Sequence, residues 1–166
     1  MAKRQISKDV LLDGAQMDLS VVLAGTMGFL KKHGLSTKEW ARYIGEAFEG
    51  ALGDLEGAPP QTVMEHLLTL DVLPMGTEVV SSESTSRKAE VTLTPLPSRA
   101  LLKKFGTSPR EFLSGFGITK KDLAEVYAIY EPAAKAIGLE FCHELTDSRQ
   151  LLSLKRASGQ RRQARG

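Results

Sequence analysis

At 166 residues, with 42% apolar and 25% charged side chains, the chain has the composition of one soluble domain with enough length for a real core. Its formal charge of +2 comes from the ends: Lys3, Arg4 and Lys8 at the start, and Lys155, Arg156, Arg161, Arg162 and Arg165 at the finish, lie in stretches without acids. Taking those eight from the 22 basic residues leaves 14 against 20 acidic ones, so the body carries −6, which argues against a basic nucleic-acid-binding surface on the fold itself.

In chain order, helical periodicity comes first. Leu19, Val22, Leu23, Thr26, Met27 and Leu30 keep i, i+3, i+4, i+7 spacing and predict a buried helix over 17–30, a run too short to cross a bilayer. Ala24 and Gly28 form a small-residue strip that lets another helix approach, within the chain or in a second copy, so a homodimer is left open. Gly34 stops the helix. Ser36 to Glu39 reads as a capping box opening a second helix, whose stripe is Trp40, Ile44, Ala47, Phe48, Ala51, Leu52 and Leu55. After a loop over 53–60, a third helix turns Val63, Met64, Leu67 and Leu68 inward.

From Thr77 the period changes to 2. Ala89, Val91 and Leu93 alternate with polar residues, 77–81 supplies a partner strand, and 82–86 the turn. Pro95 and Pro97 end this hairpin, and short helices over 98–104 and 109–114 close at Gly106 and Gly117. Thr119 to Asp122 is a second capping box, opening a helix with Leu123, Val126, Tyr127, Tyr130, Ala134 and Ile137 inward and a kink at Pro132. Strands over 139–145 and 151–156 complete the chain. The expected class is α+β, with N-terminal helices and two β-hairpins forming one antiparallel sheet packed against helices. Residues 1–156 form the domain, and 157–166 a solvated basic tail whose one use would be weak, nonspecific polyanion binding. The helix–Gly–cap grammar of Gly34 to Glu39 repeats 83 residues later at Gly117 to Asp122, and each copy leads to a hairpin.

The chemistry-bearing residues are few. Cys142 is the only cysteine, which excludes an intrachain disulfide and fits a reducing compartment; with no apolar segment following the basic start, the expected location is cytoplasmic. Glu140 and Glu144 flank Cys142 on its strand face and disfavour its thiolate. His143 shares the apolar face with Leu139, Phe141 and Leu145, either as a satisfied core residue or as a polar anchor in an apolar pocket. His33 suits a helix C-terminus, and His66 falls off the apolar stripe, on the exposed side. Three histidines and one cysteine without i, i+3 or i, i+4 pairing predict no metal site. There is no phosphate loop, dinucleotide fingerprint or nucleophile elbow, so no cofactor and no complete catalytic set are expected.

The last third, with Cys142, Asp147, Leu152 and Leu154 after an amphipathic helix and a glycine, resembles the closing segment of the 4-vinyl reductase type of small-molecule-binding domain. Thr146 stands where that pattern has a glycine and Gln150 where it has a second cysteine, which argues against a paired-cysteine metal or redox role. The aminothiazoline-carboxylate hydrolase-like family has a similar layout, without a matching catalytic set here. The resemblance covers residues 119–156 and implies a hydrophobic or mixed small ligand enclosed between helices and sheet. Its contacts would be His143, Phe141, Tyr127, Tyr130, Trp40 and Phe48, in a non-catalytic binding or sensory domain with no membrane partner. One alternative is a small hydrolase acting on an amide or heterocycle, with His143 as base beside Glu65 or Glu140. Another is nucleic-acid binding through the basic tails.

Overall fold

The computed structural model describes residues 7–69 and 75–157. Helix α1 (Lys8–Lys32) leads to α2 (Thr37–Ala47), a 3-10 segment (Glu49–Leu55) and α3 (Pro60–Leu67). The first hairpin, β1 (Val79–Ser84) and β2 (Lys88–Leu93), is followed by α4 (Arg99–Lys104), α5 (Pro109–Gly115) and α6 (Lys120–Glu125). A second 3-10 segment (Val126–Ile129) and α7 (Tyr130–Ala136) then deliver the chain to β3 (Leu139–Leu145) and β4 (Gln150–Arg156). The order β1-β2-β4-β3 is antiparallel throughout, so the two hairpins join through their second strands, with Val91 opposite Leu152. The expected α+β class, with helices and two hairpins in one sheet, is what the chain adopts.

Alternation decides which sheet face is dry. Ala89, Val91 and Leu93 of β2 and Leu152 and Leu154 of β4 are buried on the face that α3 covers, α6 and α7 pack on β3, and Met27, Met64 and Leu102 belong to the same core. Lys88 and Glu90 pair on the opposite face at 2.6 Å. Strand β1 is exposed along its whole length, and this explains why its polar Ser82 and Ser84 belong to the strand rather than to the predicted turn, which contracts to 85–87. Strand β4 begins one residue earlier than predicted, at Gln150.

Two helices are rotated from their expected orientation. In α1 the buried positions are Ser20, Ala24, Met27 and Leu30, while Leu19 and Val22 face solvent. The reason is the small-residue strip: a Cβ on Gly28 would collide with the Phe116 carbonyl, so the helix turns that side inward to touch backbone directly. In α2 Thr37, Ala41 and Gly45 are buried, whereas Trp40 and Ile44 are half-buried and Phe48 is exposed. Helix α1 is also longer than expected, because Ser7 caps it well before the apolar run. At 25 residues, with an 18-residue window of mean hydropathy 1.2, it is long and apolar enough to cross a membrane, although 17% of that window is buried inside the domain.

The caps hold more closely. Ser36 accepts from the Glu39 N–H as a simple N-cap rather than the expected two-way box, whereas the Thr119–Asp122 box is reciprocal, as is an unforeseen one at Ser108–Glu111. Pro132 cannot donate to the carbonyl four residues back, and the helix tightens into its 3-10 turn over Val126–Ile129 immediately before it. His33 is the C-cap of α1, and His66 is half-buried rather than exposed. Lys3 and Arg4 of the basic start, and the tail beyond Ala157, lie outside the described residues.

Glycine substitutions separate these constraints. Gly14, in α1, has nothing near its missing Cβ, and Gly14→Ala should stabilise the chain by about 0.5–1 kcal/mol. A Cβ on Gly45 would overlap the Ile129 carbonyl and stand 3.0 Å from Pro132 Cδ, so Gly45→Ala should instead cost about 1–3 kcal/mol despite alanine's better helix propensity. Urea denaturation of both variants reads the two opposite signs.

Candidate functional site

The inner face of β3 presents Leu139, Phe141, His143 and Leu145, as their alternation requires. Above it, the tight 3-10 turn aims Tyr127 at the sheet. Its ring stacks on the His143 imidazole with centroids 3.8 Å apart and planes 16° from parallel. Tyr130 lies 6.0 Å from Tyr127 and meets Phe141 edge to face at 5.3 Å. These four residues, named from sequence, come together in one aromatic cluster. Trp40 and Phe48 do not join it: Trp40 packs on the core from α2, and Phe48 faces solvent at the end of that helix.

Gln150 organises the cluster from below. It is fully buried, and its side-chain N–H donates to the Thr94 carbonyl at 2.9 Å. A carbonyl can only accept, so the Gln150 oxygen must face the other way, where His143 Nε2 stands at 3.3 Å. His143 therefore donates from Nε2, and in the neutral ring Nδ1 is a bare acceptor. Nδ1 is buried and has no hydrogen-bond partner. Burial is the main cause holding the His143 pKa below its ordinary 6.5, outweighing Gln150, the Ala124 carbonyl and the Glu144 charge, which all favour the cation. Burial likewise pushes the Tyr127 phenol upward, with partial relief from the neighbouring Gln150 amide, and its hydroxyl also lacks a well-formed hydrogen bond.

Over Tyr127, Phe141 and His143 lies an open cleft of about 350 Å³, rimmed by Lys38, Lys121 and Glu125, with Cys142 at its edge. Two other open clefts are wider. One of about 590 Å³ is lined by Arg99, Arg110 and Lys120, and one of about 650 Å³ by Arg42, Glu46, Glu131 and Lys135. Neither has an aromatic wall, and each contains an ion pair, Arg42 with Glu131 in one and Lys120 with Asp147 in the other. The resemblance implied a ligand enclosed between helices and sheet, but that space is filled by the core, and the room beside His143 is at the sheet's edge, open to solvent. The residues suggested for hydrolysis are not assembled. Glu140 projects from the opposite face of β3, and Glu65 sits on α3, accepting from Gln61 at 2.9 Å.

Among the described residues no group of three or more His, Cys, Asp or Glu side chains is placed to hold a metal ion. Sequence reasoning missed Gln150 as an organiser; its shared parity with Leu152 and Leu154 was the signal that it points inward. No protein-family model matches the chain, and no curated protein matches it.

The folded state keeps His143 neutral where the unfolded chain takes up a proton. Its contribution is therefore fully present above pH 6.5 and is lost as pH falls toward its depressed folded value. The carboxyls of Glu111 and Asp122 are held below their ordinary 4.5 and 3.8, so their contributions disappear only at lower pH. Denaturation measured from about pH 7 to about pH 5 should show a decline that His143→Gln flattens. An equal slope in that variant would remove His143 as its source.

Proposed function

We propose that this domain is a non-catalytic binding module that seats a small, flat, partly apolar molecule in the cleft beside β3. The observation that supports the reading is the stacked Tyr127–His143 pair beneath an open cleft whose wall is aromatic and whose rim carries both charge signs. Phe141 supplies a ring against which a flat ligand stacks, and Lys38, Lys121 and Glu125 supply polar orientation. The resemblance of residues 119–156 to a small-molecule-binding family supports the same class of ligand.

Binding fits this site better than turnover. The His143 Nε2–H is committed to Gln150, no carboxylate candidate reaches the ring, and Cys142 lies between two glutamates along the outer face of its strand. A general base needs a free nitrogen within reach of a substrate proton, and Nδ1 is shielded from solvent.

Native mass spectrometry of gently purified protein should show a bound small molecule that denaturation releases. Cys142 is the only cysteine and borders the cleft, so its alkylation rate reports occupancy: slow in the loaded protein, faster after release. Phe141→Ala should lose the bound mass and alkylate at the released rate. A clean mass from every preparation, with one alkylation rate throughout, would overturn the reading.

A further inference from the structure

Helix α1 turns most of its large apolar side chains to solvent. Leu11, Val21, Val22 and Phe29 are 39% to 66% exposed, and at 3.6 residues per turn they lie across the helix from Ser20, Ala24, Met27 and Leu30, with exposed Leu19 at the flank. Contiguous exposed apolar surface of this extent marks an interaction site. We infer that this face is a homodimer interface in which two α1 helices cross antiparallel about a two-fold axis near Gly25.

The charges set that register. Within residues 18–32, α1 has three charged side chains, and Lys31 is committed to Asp122 at 2.8 Å. The other two, Asp18 and Lys32, lie on the exposed arc, seven residues before and after Gly25. A two-fold axis there sets each Asp18 against the partner's Lys32 and each Val21 against the partner's Phe29. An axis further toward the N-terminus, midway between Lys8 and Lys32, would oppose those two lysines and leave Asp18 against apolar side chains. The chain's own half-buried Phe116 ring stands 3.7 Å from where a Cβ on Gly25 would lie and walls that side of the helix.

A bilayer fits less well. Asp18 on the arc would enter hydrocarbon unpaired, and the side that a surface helix would turn to water is here packed against the domain through Ala24, Met27 and Leu30.

Analytical ultracentrifugation of the full chain at micromolar concentration should give twice the 18.1 kDa chain mass. Val22→Glu should return it to the single-chain mass with an unchanged circular dichroism spectrum, since Val22 is 66% exposed. Should that variant lose helicity, Val22→Ser carries the same reading without a buried charge. Asp18→Lys and Lys32→Asp should each weaken the dimer about 10-fold, and the double variant should restore it. Three results would each overturn the inference: a single-chain mass throughout, a double variant no tighter than either single one, or sedimentation of a monomeric chain with phosphatidylglycerol vesicles that Val22→Glu abolishes.

Discussion

The contact on which the site's geometry depends is backbone against backbone. Gly45 brings α2 onto the Ile129 carbonyl, closer than any side chain would permit. That carbonyl belongs to the 3-10 turn that Pro132 forces on the chain, and the same turn carries Tyr127. Two sequence features on different helices, a glycine and a proline, thus fix the height at which Tyr127 meets the sheet. The Arg42–Glu131 ion pair at 2.7 Å fastens the same two elements at the surface, but exposed pairs of this kind contribute little, about 1 kcal/mol at most. Close packing at Gly45 sets the position, and the ion pair follows from it.

The same physics explains which parts of the fold could be read from sequence. Strand alternation in β2 and β3, the caps at Ser36 and Thr119, and the inward Val63, Met64, Leu67 and Leu68 depend on local periodicity and hydrogen bonding, and each is legible one residue at a time. Helix orientation is not. Where two helices touch through their backbones, the inward residues must be small, and small residues weigh little in a hydrophobic stripe. Ser20, Ala24 and Gly28 in α1, and Ala41 and Gly45 in α2, therefore lose to Val22 and Trp40 in any count of apolar periodicity, although they are the ones that pack. The bounds of the polar strand β1 shift for the complementary reason: it lies at a sheet edge where neither face is buried, so it carries no alternation.

The candidate site divides along the same line. Phe141 and His143 follow from strand parity, and Tyr127 and Tyr130 from helical spacing that survives the 3-10 turn because their separation is three residues. Trp40 and Phe48 were chosen as large aromatics on a stripe, and the rotation of α2 around Gly45 takes that stripe away from β3. What brings Lys38 to the cleft rim instead is the packing of α2 on the 3-10 segment, a tertiary event with no local signature.

Beneath the site, a polar thread crosses the sheet. At the head of the first hairpin the Thr94 N–H donates to the Glu78 carbonyl while the Thr94 hydroxyl accepts from the Glu78 N–H, the Thr94 carbonyl accepts from Gln150, and Gln150 accepts from His143, which carries Tyr127 on its face. Buried amides and imidazoles add little net stability compared with apolar residues of the same shape, so their effect is better sought in specificity. A slip of one residue in β4 would turn Gln150 outward and put Leu151 against the Thr94 carbonyl, leaving both that carbonyl and His143 Nε2 buried and unpaired. Apolar packing opposes the same slip, because it would put Ser153 and Lys155 where Leu152 and Leu154 are buried. The thread therefore makes the correct register of the two hairpins the one in which every link is satisfied. It leaves His143 Nδ1 and the Tyr127 hydroxyl without a well-formed hydrogen bond next to the cleft.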